Sequence, residues 1–421
     1  MSRRENTAVY CPKLRPVEVV LARASGNPIY LVRDACRMTD GAVTVSEDIL
    51  YILRFFDGRH STLDIRAEYM RRFGGFLYEE HLEELVQKLD SSLLLESERF
   101  DKYMKTVTDE FASSEVRGPS QAGSAYPESP EELSAMFDGF FAHPDGPGPL
   151  SSGAEAGKPP RGLVLPHIDM RAGGPCMAWG YRELDREERP DLFVILGTGH
   201  TNPQNNFAIT RKDFLTPLGR AATQRSFVDS VLERCGTDFT AGEFAHKSEH
   251  SVEFQVVFLQ YLYGKLSEEG RGPSIVPVLC SFGYGDVGSG AFSEAAERVV
   301  DFVAALRHAV ESSGQRVCFV ASADLAHLGP RYGDARGISD AEMGTYKSRD
   351  LQMLGAVERG DAGEFAAFVA GERDARRVCG FSSIYTLLRS IEPTRGRLLK
   401  YSYAPVDNAG SVVSFASMAL E

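Results

Sequence analysis

Hydrophobic positions change their period along the chain, and the change divides it. In the first hundred residues short patterns alternate with polar faces. NPIYLVRD carries the two-residue period of a strand. EDILYILRFF places Ile49, Leu50, Ile52, Leu53 and Phe56 on one helical face, with Ser46 available as its N-cap. After the Asp57-Gly58 turn, Ser61 or Thr62 can cap LDIRAEYMRRF, and Gly74-Gly75 can end it. YEEHLEELVQKLDSS predicts a third helix, and Leu93 to Leu95 a short return strand. Three helices followed by a strand outline a winged helix. From Arg161 the pattern becomes continuous apolar runs, GLVLP (162–166), LFVILG (192–197), SIVPVLC (274–280) and VCFVAS (317–322), separated by helical segments such as RSFVDSVLERC, EHSVEFQVVFLQYLY and AFSEAAERVVDFVAALRHAV. Apolar runs of this kind between helices predict an α/β fold whose mainly parallel or mixed sheet is covered on both faces. Between the two regions, SPEELSAMFDGFFAH predicts one helix, and PDGPGPLSSGAEAGKPPRG a loop. The expected organisation is therefore a small domain over 1–105, a linker over 106–161 and an α/β domain over 162–421.

Length and composition agree with this division. A chain of 421 residues, 43% hydrophobic and 25% charged, has the balance of a multidomain globular protein. No apolar run approaches the ~20 residues that span a bilayer, and MSRRENTAVYCPKLRP lacks the apolar core of a secretory signal. The seven cysteines are odd in number, scattered and free of any C-x-x-C pair. That usage argues for a reducing cytoplasm and against a disulfide framework or zinc ribbon. A net charge of −13 argues against a nucleic-acid surface, and no membrane partner is expected.

The candidate chemistry lies at the strand ends. GLVLP runs into His167, LFVILG into His200, and VCFVAS into Asp324 and His327; His250 opens a helix in between. Carboxyl ends of parallel strands share one edge, where α/β proteins bind ligands. Gly173, Gly174, Gly197 and Gly199 are expected to let the backbone pass close to a bound species. Imidazoles gathered at one edge serve either to hold a borderline transition metal or to move protons. A single such histidine has an ordinary reading as a hydrogen-bonded edge residue; three after separate strands favour a site. His246 and His250 are spaced as a helical pair, but Ser248 as an N-cap would leave His246 outside the helix. Glu253 is expected to be a supporting or surface carboxylate. Cys379 precedes Gly380 at a helix start, where amide dipoles favour a thiolate. It could be a soft ligand, a nucleophile or a small buried hydrophobe.

Taken in order, AGSAYP (122–127), PHIDMRAGG, ILGTGH, SEHSVEFQVVFLQYL, IVPVL, ASADLAHLG, VCG and SVVSFASMAL resemble the motifs of the Memo family, in the form called AmmeMemoRadiSam system protein B. The likeness spans about residues 118 to 421. It implies a fold like that of class III extradiol dioxygenases of the LigB type, which use non-haem Fe(II). Carried over by motif, His167, His200 and Cys379 correspond to the metal ligands. Asp324 and His327 fall where the family has an aspartate and a histidine facing the metal, with His327 as acid/base, and His250 falls at a further histidine of the pocket. The sequence departs from the family at Ala125, at Ile168-Asp169-Met170 and at Thr201, which alters the pocket lining. LYILRFFDGRHSTLDI and EELVQKLDSSLLLE resemble a PqqD-like winged helix, a fold that grips peptides for modifying enzymes.

The resemblance implies a metal-dependent oxidoreductase with Fe(II) or copper in preference to zinc. It also implies a radical SAM enzyme and an AMMECR-type protein as partners in the same system. Two other readings stand beside it: a peptide-binding adaptor for the radical SAM partner, and a hydrolase using zinc or Cys379 as nucleophile.

Overall fold

The computed structural model describes residues 10–24, 27–35, 38, 39, 41–150, 156–201, 203–268, 272–287, 293–393 and 395–421. Cys36 and residues 151–155 of the expected Gly/Pro-rich loop lie outside them. The chain divides into two compact units at Ser113–Ser114. The boundary expected near residue 105 instead falls within a helix, Glu98–Ser113.

The first unit begins with a three-stranded antiparallel sheet of Val17–Ala24, Asn27–Asp34 and Ala42–Val45. Helices Glu47–Leu53, Thr62–Phe73 and Glu79–Ser91 follow. Ser61 caps the second through a reciprocal capping box with Asp64, and Gly74, at φ 70°, ends it in the left-handed region. Ser46 has the extended backbone of a cap, but its side chain accepts no cap hydrogen bond; its hydroxyl turns to Asp48 instead. The return strand expected over Leu93–Leu95 is reduced to one bridge, Leu14 to Leu95. Val32, Ile52, Phe56, Ile65, Leu82, Leu89 and Leu94 form a core within the unit.

The second unit is built on an eight-stranded mixed sheet. Its strands are β1 (Gly162–Leu165), β2 (Leu192–Thr198), β3 (Phe207–Ile209), β4 (Ser274–Cys280), β5 (Val317–Ser322), β6 (Asp324–Leu328), β7 (Gly396–Pro405) and β8 (Val412–Leu420). The order is β6-β8-β1-β5-β2-β4-β3, with β7 on β8. The central four, β1, β5, β2 and β4, are mutually parallel, whereas β3 and β8 flank them antiparallel. Within the continuous apolar runs, side chains still alternate. Leu192, Val194 and Leu196 of β2 join one core, while Phe193 and Ile195 join the other. The second core is closed by α1 (Pro130–Ala142), α2 (Met170–Arg182) and α3 (His250–Glu268). The first is closed by α4 (Glu294–Ser313), α5 (Asp340–Glu358), α6 (Ala362–Gly371) and α7 (Phe381–Ile391).

Two expectations change. The stretch after residue 113 is not a free linker, because Leu133, Phe137, Phe140 and Phe141 of α1 are buried in the sheet's core. The strand-end glycines make room for protein rather than for a ligand. A Cβ on Gly197 would stand 2.6 Å from Val252 and 2.7 Å from Ser251 Oγ, and one on Gly174 would meet the Phe140 ring at 2.4 Å. Gly197 thus lets the first turn of α3 press against the end of β2. Gly197→Ala should force that helix outward and cost about 1–3 kcal/mol of stability, read as a lowered urea midpoint with unchanged slope.

Candidate metal centre

Because β1, β2 and β5 are parallel neighbours, their carboxyl ends present His167, His200 and the Asp324–His327 segment along one edge. The start of α3 supplies Glu249 and His250, and the residue before Gly380, the N-cap of α7, supplies Cys379. The six side chains proposed from the sequence as ligands or proton carriers lie in this one cluster. The ligand atoms of His167, His200 and Cys379 lie within 4.8 Å of one another. Two further triplets overlap with them: His200, Glu249 and His250, and Asp324, His327 and Cys379. Cys379 Sγ stands 3.5 Å from His167 Nε2. That is about the separation of two ligands bound at ~2.0–2.3 Å to one tetrahedral ion, so the soft donor set and its spacing fit a transition metal.

The cluster is enclosed but open on one side. His167 is 2% exposed, while the side chain of His200 is 39% exposed. The rings of His200 and His250 lie nearly parallel, 4.9 Å apart, and the His167 ring meets the His200 ring edge-on at 5.1 Å. Burial pushes His167 down to about 3, with the neighbouring His200 adding to the effect, and it pushes His250 down to about 4 against the pull of Glu249. Burial also lowers His327, although Asp324 opposes it. His200 goes the other way: burial works against its charge, but the hydrogen bond and charge of Glu249 prevail and raise it. Asp324 and the Cys379 thiol are both raised by burial. For Cys379 desolvation outweighs any help from the helix start and favours the thiol form.

Asp324 does not orient His327. Its Oδ1 accepts from the backbone N–H groups of His167 (3.0 Å) and Ile168 (3.2 Å), fixing the turn after β1. The carbonyl of Leu325 is 3.1 Å from His327 Nδ1 and can accept a hydrogen bond from its N–H, leaving Nε2 as the basic nitrogen. Tyr332 packs edge-on against the same ring at 4.9 Å. The loop before Cys379 passes through left-handed backbone at Arg373, Asp374 and Arg377, with φ of 51°, 49° and 53°. Each such residue costs about 1–3 kcal/mol, and the loop is held by its side chains. Arg376 pairs with buried Asp350, Arg377 with Asp334 at 2.6 Å, and His327 N–H donates to the Arg376 carbonyl at 2.8 Å.

Two charged residues of the site have no counterpart in the sequence expectations. Glu249, 5% exposed, accepts from His200 N–H at 2.9 Å, lies 3.0 Å from His200 Nδ1 and accepts from Ser251 N–H at 3.0 Å. It therefore does the capping expected of Ser248. Its place between two histidines in HKSEHSVEF is the available signal, and glutamate's rarity as a cap conceals it. Arg117, 1% exposed, pairs with Glu253 and donates to the backbone carbonyls of His246 (2.9 Å) and Glu249 (2.8 Å). Of the two expected readings of Glu253 the structure favours support over surface: fully buried, it also accepts from Ser120 Oγ (2.9 Å), Gln121 N–H (3.0 Å) and the Tyr126 hydroxyl. His246 stays outside α3, as expected, in a short 3-10 turn, with Nε2 3.0 Å from the Ala208 carbonyl.

Comparison with known proteins gives a consistent picture. The Memo-like protein family matches residues 117–419. A MEMO1 family protein of Aquifex aeolicus is 26% identical over 395 residues, covering 92% of this chain and 95% of its own. One from Methanobrevibacter smithii is 32% identical over 217 residues, 51% of this chain and 70% of its own. One from Aeropyrum pernix is 29% identical over 301 residues, 70% and 94% respectively. The Aquifex likeness reaches into the first unit, which lies outside the family match.

The buried neutral imidazoles make the metal-free protein sensitive to acid. His167, at about 3, and His246, at about 4, bind protons less readily folded than unfolded, where an imidazole titrates near 6.5. The unfolded chain therefore takes up more protons below that value, and folding stability falls as pH falls from about 6.5 toward 4. Urea unfolding of the metal-free protein should show this loss, and His246→Phe should lessen it.

Proposed function

This chain belongs to the Memo family, and we propose that it is a metal-dependent redox enzyme whose ion, Fe(II) or copper, is held by His167, His200 and Cys379. The observation that carries this reading is the convergence of two imidazoles and one thiol, from three separate elements, within 4.8 Å. Such an ion would supply Lewis-acid and electron-transfer chemistry, and His200 is the one of the three side chains shown to reach solvent by more than a third of its surface. The remaining residues act around it. His327 Nε2 is the base that takes or returns a substrate proton, its ring held by the Leu325 carbonyl and the Tyr332 edge. His250 lines the opposite wall against His200. Asp324 keeps the His167 backbone in place. Burial of the Cys379 thiol favours a thiolate formed on metal binding over a free nucleophile, which supports this reading over a cysteine hydrolase. Ring cleavage of a catechol remains an analogy of fold, not a substrate assignment.

A second role is compatible with the first. Leu63, Met70, Phe73, Phe76 and Tyr78 are exposed on and beside the helix Thr62–Phe73. An apolar surface of this kind supports the PqqD-like reading, in which the first unit binds a peptide for a radical SAM partner.

Anaerobic titration with Co(II) tests the metal assignment. One equivalent should bind with a thiolate-to-metal charge-transfer band. Cys379→Ser should lose the band and bind at least about tenfold more weakly, while His327→Ala should retain both band and affinity. Binding without the band, or a band that survives Cys379→Ser, would remove Cys379 from the ligand set.

A further inference from the structure

We propose that Glu249 is a positioning residue that holds His200 in its Nδ1–H tautomer and so turns Nε2, as a lone pair, toward the pocket. The inference rests on the metal reading above for its effect on affinity, but its structural core does not. His200 follows a strand that has already ended, and its side chain is 39% exposed, so the strand alone does not fix the ring. Glu249 does. Its Oε1 and Oε2 both lie 3.0 Å from His200 Nδ1, and Oε2 also accepts the His200 backbone N–H at 2.9 Å. Backbone and ring are thus held by one carboxylate. An ionised carboxylate only accepts hydrogen bonds, so the nitrogen facing it must carry the proton. In a neutral imidazole the other nitrogen is then unprotonated, as a metal ligand requires.

The carboxylate is itself held by the fold. Its Oε1 accepts the Ser251 N–H at 3.0 Å at the start of α3, the Glu249 carbonyl takes a hydrogen bond from Arg117 at 2.8 Å, and the residue is 5% exposed. His250 provides an internal contrast. Its Nδ1 is 3.2 Å from Oε1, but no aligned hydrogen bond joins them, so Glu249 acts on that ring through its charge alone.

Nitrogen-detected long-range correlation spectra of the metal-free protein at pH 9 test the tautomer directly. Wild-type His200 should be protonated at Nδ1. Glu249→Leu, which removes every side-chain acceptor, should shift it toward the Nε2–H form preferred by free imidazoles. The same variant should bind Co(II) about 10–100-fold more weakly, with its charge-transfer band broadened by a mobile His200. A wild-type His200 protonated at Nε2, or a Glu249→Leu protein with unchanged tautomer and affinity, would overturn the proposal. If the wild type bound no metal at all, the metal reading would fall, and the wild-type tautomer, which needs neither metal nor variant, would still decide this one.

Discussion

The site depends first on an ion pair that touches no ligand. Arg117 and Glu253 are buried together, and a guanidinium and a carboxylate in such surroundings are stable only when nearly every donor and acceptor is used. They are used here for construction. Glu253 gathers the segment from Ser120 to Tyr126, and Arg117 takes the carbonyls of His246 and Glu249. The pair therefore fixes the entry into α3, from which Glu249 and His250 reach the pocket. A hydrophobic pair could fill the same volume, but it could not hold two backbone carbonyls at a chosen height above the sheet.

A second buried ion pair serves the other rim. Arg376 and Asp350 brace a loop that crosses left-handed backbone three times before it delivers Cys379. Asp350 is completed by Ser414 at 2.6 Å and Tyr401 at 2.9 Å, which tie the loop to β8 and β7. Between these braces a polar network joins the strand ends themselves. Gln255 Nε2 donates to the Pro166 carbonyl at 2.9 Å and to Ser322 Oγ at 2.8 Å, and Ser251 Oγ donates to the Thr198 carbonyl at 2.8 Å. The residues just before His167, His200 and Asp324 are thus cross-linked through α3. Such a frame keeps several neutral imidazoles and a thiol close together in a low-dielectric setting, where their preorganisation is worth most to a bound ion.

Much of this was legible in the sequence. The continuous apolar runs marked the central strands because both faces of a parallel sheet are buried, and the residue following each run marked its carboxyl end. That rule alone placed His167, His200, Asp324 and His327 on one edge. Cys379 is marked only as one candidate at a helix start, and the family resemblance gives it its weight as a ligand, because its approach depends on a loop no periodicity describes. Arg117 and Glu249 were not legible. Arg117 sits in a polar stretch with no pattern, and its partner Glu253 is 136 residues away; only the folded chain brings them together. For the same reason the sequence leaves Glu253 open between a supporting and a surface carboxylate, and only its buried counter-ion decides for the supporting role. In the first unit the helices are clear from their apolar faces, and for the second also from its Ser61 cap and Gly74 end, but the Leu93–Leu95 strand is not realised: β pairing depends on a partner, and Leu14 offers only a single bridge.

Metal content after anaerobic purification tests the central claim most directly, comparing the wild type with a His167→Ala/His200→Ala variant of equal stability. The wild type should carry close to one equivalent of iron or copper and the variant none. A folded wild type that carries no metal and takes up none when iron(II) or copper(I) is supplied would contradict it.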